Sequence, residues 1–168
     1  MKWGEVENKW RGMGKEKIIK SRFRSKSEHS LDTKGRLHFP SRFRDVLAQY
    51  GSETLMVAPW KKHLRAYPVS EWEIIEDKLI DQGKEQPRLA SFIRFVFSGV
   101  TECNLDKQSR ILLPLTLRTE TRIGKEVVLT GMRDWVEIWD KEAWQLEVQA
   151  TRESFDSFDE GLSKLGIL

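Results

Sequence analysis

Residues 30 to 44, SLDTKGRLHFPSRFR, and residues 104 to 118, NLDKQSRILLPLTLR, repeat one order of acid, turn, arginine, proline and arginine. Aligned on Asp32 and Asp106, the two share the Leu, the Asp, Arg36 with Arg110, Pro40 with Pro114, and Arg44 with Arg118. The register persists downstream, where AYPVSEW ending at Trp72 matches IWDKEAW ending at Trp144, the second copy having lost two residues in a loop near Tyr50 to Thr54. Self-similarity over most of a chain defines its architecture before any single motif is considered. Two copies make a pseudo-dimer. Each, at roughly 60–70 residues, is too small to bury its own strand faces well, so the halves are expected to interdigitate about a pseudo-two-fold axis.

Within each copy the pattern reads strand, turn, strand, helix, strand, turn, strand, helix, which is an α+β class. SEHSLD alternates, TKG supplies a turn in which Gly35 can take positive φ, and RLHF resumes an extended path, so the segment reads as a hairpin. Pro40 suits the start of a helix whose one face carries Phe43, Val46 and Leu47. TLMVA and HLRAY read as a second hairpin, and Ser70 with Glu73 reads as a capping box for a helix carrying Trp72, Ile75 and Leu79. The second copy replays this with EVVLT, WVEIW and a helix from Asp140. Between the copies, EQPRLASFIRFVFSG predicts an extra helix that packs on the core through Leu89, Phe92, Ile93 and Phe97. Ser109 stands where the first copy has Gly35 and predicts a differently shaped turn.

Residues 9 to 44 hold twelve Lys or Arg against three acids, although the chain as a whole carries a net charge of only +3. Such crowding fits a solvated face and fits a phosphate-binding surface equally well. No apolar run approaches the ~18 residues of a membrane helix and the N-terminus lacks a signal-peptide core, so a cytoplasmic location is expected. Cys103 is the single cysteine, which excludes an intrachain disulfide framework and a Cys-Cys metal knuckle and predicts a small buried side chain; His29, His38 and His63 form no ligand-spaced pair. No metal and no cofactor is expected. Nor does the chain show a convergent acid-base pair, a Ser-His-Asp order or a phosphate-cradling glycine loop, so an enzyme is not expected.

The tandem LDxKGRLxxPxxFR and LDxxxRILLPxxLR motifs, with YPxxEW and IWDKExW behind them, resemble the MraZ family from about Phe23 to Ala150. That resemblance implies bacterial transcription regulators built from two SpoVT-AbrB-like swapped-hairpin units with β-barrel halves, associated with the division and cell-wall gene cluster. It further implies binding of double-stranded DNA at the nucleoid by a ring-shaped homo-oligomer. The expected units are residues 23–84 and 99–150, joined by a helix over 85–98, with a basic and flexible extension at 1–22, in which Met13 is a second candidate start, and an acidic tail at 151–168.

The arginine of each Asp-x-x-x-Arg motif is the family's DNA-contacting candidate, which carries over to Arg36 and Arg110. An arginine beside a turn can present a planar fork to guanine or clamp a phosphate, and Lys34, Arg42 and Arg44 would add counterion-releasing contacts. Asp32 and Asp106 also stand four residues from these arginines across a tight turn, so simple structural pairing accounts for the same spacing. We favour Asp32, Asp106 and Gly35 as the structural set and the arginines as contacts, the first copy being the stronger of the two. A scaffold or antitoxin-like protein that acts through protein contact is the competing class.

Overall fold

The structure is a computed structural model and describes residues 21–168. The basic extension expected over 1–22 therefore lies almost wholly outside the described residues. The first copy runs β1 (Lys26–Ser30), β2 (Arg36–His38), α1 (Ser41–Ala48), β3 (Thr54–Pro59), β4 (Leu64–Pro68) and α2 (Val69–Glu85). A connecting helix α3 (Leu89–Gly99) follows. The second copy runs β5 (Thr101–Asn104), β6 (Arg110–Leu112), α4 (Leu115–Glu120), β7 (Glu126–Gly131), β8 (Val136–Asp140) and α5 (Lys141–Glu153), then a 3-10 turn (Phe155–Phe158) and α6 (Asp159–Lys164).

The α+β class and the tandem, strand-exchanged organisation are as expected, and among the described residues the strands form two sheets without full barrel closure. Six strands lie in the order β1-β7-β8-β4-β3-β5, and β2 pairs with β6 in a separate ribbon. Exchanging each strand for its counterpart in the other copy reverses that order onto itself, so the pseudo-dyad passes between β4 and β8 and through the β2–β6 ribbon. β1 is held by β7 and β5 by β3, each edge strand completing the other copy's hairpin.

One local expectation fails here. β1 and β2 flank a tight turn yet do not pair with each other. Only the turn itself closes, through Gly35 N–H to Asp32 O at 3.0 Å and Asp32 N–H to Arg36 O at 3.1 Å. Beyond it the strands part, because Leu37 and Ile111 are paired back to back and both wholly buried on the dyad. Burying two branched side chains there stabilises by about 1.5–3 kcal/mol each, which outweighs a three-residue local ladder.

Alternation by two sends side chains of the central strands to opposite faces. Leu55, Val57, Leu64, Ala66, Val127, Leu129, Val136 and Ile138 face the ribbon, meeting Leu37 and Ile111, Phe43 and Leu47 of α1, and Leu117 of α4. Ala58 and Tyr67 face the other way, where α2 and α3 cover them with Trp72, Phe92 and Val96. As expected, α3 packs on the sheet through Phe92 and Phe97, both partly buried, but its buried residue is Val96, and Leu89 and Ile93 are not part of that cluster. Cys103 is buried with its thiol pushed up to about 11, chiefly by burial and then by Glu102, as suits an inert packing group.

The capping box does not form. Pro68 is the N-cap of α2, no side chain caps it, and Ser70 already lies inside the helix. A proline locked at φ near −60° starts the helix two residues earlier than a cap at Ser70 would. Its counterpart Asp140 does cap α5, accepting from the amides of Glu142 and Ala143. The acidic segment after 151 continues α5 to Glu153 and then becomes helical again.

Candidate nucleic-acid interface

The two Asp-x-x-x-Arg turns lie at opposite ends of the antiparallel β2–β6 ribbon, each abutting the end of the other copy's strand through Leu113 N–H to Gly35 O at 3.0 Å and Phe39 N–H to Ser109 O at 2.9 Å. In the first, Asp32 Oδ1 accepts the amides of Lys34 and Arg36, both at 2.9 Å, while Oδ2 accepts from Arg36 Nε. In the second, Asp106 Oδ1 accepts the amides of Gln108 at 2.8 Å and Arg110 at 2.9 Å, and Oδ2 accepts from Arg110 Nε at 2.9 Å. The turns are the same. Ser109 adopts φ 62° where Gly35 adopts 84°, so the expectation of a different shape is corrected: three bonds to one carboxylate hold the serine in the left-handed region.

The same bonds govern the carboxylates. The Arg36 amide, joined by its guanidinium and the Lys34 amide, holds Asp32 down at about 2, overcoming desolvation, which is the second-largest influence and acts in the opposite direction. Asp106 is lowered likewise, first by the Arg110 amide. Arg110 Nη1 also lies 3.8 Å from Asp32 Oδ2, linking the two copies across the ribbon. Each arginine is therefore gripped through Nε, and among the described residues the two terminal nitrogens of Arg36 take no partner. For Arg36, pairing and presentation are not alternatives: the aspartate uses one edge of the guanidinium and leaves the terminal pair, which is the fork that suits guanine or phosphate. Arg110, by contrast, leaves one terminal nitrogen wholly clear of acids among the described residues.

The ribbon register is Arg36 with Leu112, Leu37 with Ile111 and His38 with Arg110. Arg36, His38, Arg110 and Leu112 thus share the outer face. Lys34 is exposed at the first turn and Lys107 at the second. Arg42, at the start of α1, donates to the Lys26 carbonyl and lies over the Phe43 ring at 5.1 Å. Nearby, the His29 and His38 rings stand 6.2 Å apart. Burial, then His38 and Arg42, lowers the His29 pKa.

Arg44 is placed differently. Its Nη1 donates to Ser109 Oγ at 2.8 Å and its Nε is buried without a partner, so it is a strut between the copies. Arg118, its counterpart, donates from Nε to the Leu113 carbonyl at 3.0 Å and lies on Gly35, where an added Cβ would meet its Nη2 at 2.7 Å. Each final arginine of the motif supports the other copy's turn. Charge alone places Arg44 among the candidate contacts, while its side chain is directed to Ser109 of the second copy. Period-2 alternation from Arg36 and Arg110 puts His38 and Leu112 on the arginines' face, and Lys107 is exposed in the turn that matches Lys34's.

Among the described residues no group of three or more His, Cys, Asp or Glu could hold a metal, and no helix is long and apolar enough to cross a membrane. A family model for the MraZ protein, whose description carries an antitoxin-like label, matches residues 23–94 and again 96–164. Relatives named transcriptional regulator MraZ include one from Pediococcus pentosaceus, 39% identical over 145 residues, covering 86% of this chain and 99% of its own. One from Syntrophobacter fumaroxidans is 37% identical over 145 residues, covering 86% and 97%. Another from Desulfitobacterium hafniense is 41% identical over 139 residues, covering 83% and 95%.

Proposed function

The chain belongs to the MraZ family, and on that premise we propose that it is a sequence-specific DNA-binding transcriptional regulator of the division and cell-wall gene cluster, reading G-rich direct repeats as a ring-shaped homo-oligomer. The observation that carries the reading is the pair of arginines gripped through Nε on one exposed ribbon face. A two-stranded ribbon fits the major groove, and bidentate arginine is the commonest specific contact to guanine O6 and N7. Lys34, Lys107 and Arg42 flank it as phosphate contacts that fix register without reading bases.

One ribbon is too small to bind tightly alone, given that specific interfaces bury at least ~600 Å² of protein. Repetition supplies the rest. Exposed apolar side chains support assembly through two different surfaces: Ile74, Ile80 and Phe95 on α2 and α3, and Leu146, Phe155 and Phe158 at the end of the second copy. Unlike surfaces meeting head to tail close into rings, which present successive ribbons in one orientation and favour operator boxes in one orientation.

The test is anisotropy titration of the full chain against duplexes whose boxes are repeated directly, inverted, or respaced by half a helical turn. Direct repeats should bind best, and Arg36→Ala should cost about 1–3 kcal/mol per engaged box without changing the oligomer. Equal binding to all duplexes would sink the reading and favour a role through protein contact.

A further inference from the structure

The ribbon is pseudo-symmetric in its backbone and in its buried face, but not in its outer face. The dyad exchanges Arg36 with Arg110 and His38 with Leu112. Leu37 and Ile111 beneath are alike in being wholly buried. Above them, an imidazole stands opposite Arg110 and an isobutyl group, 55% exposed, stands opposite Arg36. The difference extends into the helices that follow, where Ser41 opens α1 and Leu115, 66% exposed, opens α4. Isolated exposed leucines are common and mean little. This one occupies a place in a four-residue grid whose other corners are two oriented arginines and a histidine.

Resting on the DNA-binding reading above, we propose that Leu112 contacts the 5-methyl group of a thymine beside the guanine read by Arg36, and that the Leu112–His38 difference fixes the direction in which each box is read. Thymine is the one base that presents an apolar group in the major groove, and aliphatic side chains read it by contact. Directly opposed side chains on an antiparallel pair stand about 4.5–5.5 Å apart at Cβ, which is one to two base steps of about 3.4 Å. A leucine opposite Arg36 therefore reaches a base pair adjacent to the arginine's guanine. At the other end His38 offers a hydrogen-bonding ring beside Arg110 and no affinity for a methyl group. A ribbon with identical outer corners would accept a box in either direction, and a head-to-tail ring needs a single one.

The experiment begins with in vitro selection of duplexes by the full chain, then replaces each thymine of the selected box by deoxyuridine, removing one methyl group at a time. One position should weaken binding about fourfold per engaged box, the worth of one buried methyl. Leu112→Ala should abolish sensitivity at that position while Arg36→Ala leaves it in place in the residual binding. The exchange His38→Leu with Leu112→His should transfer the sensitive position to the opposite end of the box. Leu112 is exposed, so both variants should keep the wild-type melting temperature and oligomer. Indifference of the wild type to every deoxyuridine overturns the proposal, as does undiminished sensitivity in Leu112→Ala or a Leu112→Ala protein altered only in assembly. Selection that enriches no sequence would sink the DNA-reading function itself, and this inference with it.

Discussion

Ser109 carries two opposed contributions, and replacing it measures both. Its φ of 62° costs about 1–2 kcal/mol relative to glycine, because a Cβ in the left-handed region crowds the following carbonyl. Its hydroxyl accepts from the Arg44 guanidinium at 2.8 Å, a charge-assisted bond of the kind that contributes about 1.5–3 kcal/mol. Arg44 already has Nε buried without a partner, so losing the hydroxyl would leave a second nitrogen of the same guanidinium stranded. Ser109→Ala removes the bond and keeps the strain, and is expected to destabilise by about 2 kcal/mol. Ser109→Gly removes both, and is expected to destabilise by less, about 0.5–1 kcal/mol after the strain is relieved. The difference between the two variants isolates the backbone cost. Urea unfolding at one fixed protein concentration is the assay, since an assembling protein's stability depends on concentration, and the m value should not change. If Ser109→Gly stabilised the protein by 1 kcal/mol or more, the Arg44 bond would be worth nothing, and Arg44 would return to the pool of free cations.

Arg110→Ala should weaken operator binding about as much as Arg36→Ala, each by about 1–3 kcal/mol per engaged box, since the two turns have one geometry; a second copy that tolerated the change would restore the first-copy bias. Asp32 is held at about 2 against an ordinary 3.8. A depressed carboxylate contributes stability above its ordinary value and loses it as pH falls through that window, so carboxyl chemical shifts of Asp32 should titrate near 2 and Asp32→Asn should flatten the acid limb of stability. Residues 23–98 and 99–168 expressed separately should each fail to melt cooperatively, because β1 and β5 are paired only with the other half; two independently stable fragments would refute the exchanged sheet. Phe158→Asp should shift the oligomer toward smaller species in light scattering with little change in secondary structure, Phe158 being 44% exposed.

What could be read from the chain alone, and what could not, divides along the range of the interaction involved. Duplication of the motif is a property of the sequence, so the tandem architecture and the matching of Asp32 with Asp106 were legible at once. The choice of pairing partner was not. LDTKGRL contains every local requirement of a hairpin, and only the burial of Leu37 against Ile111, 74 residues away, diverts β2 to β6. The same limit applies to the arginines. Arg36 and Arg44 are both motif residues, yet one is gripped by the acid of its own turn and the other reaches the turn of the second copy. The substitution of Gly35 by Ser109 held the clue. Glycine makes room for Arg118 on one side of the dyad, and serine supplies a hydroxyl to Arg44 on the other. A difference that reads as a weakened turn in one dimension is, in three, the way two nearly identical halves fit one another. The His38 and Leu112 pair extends this logic to the surface: once register is known, inequivalence at matched positions of a duplication indicates where the two copies have come to do different things.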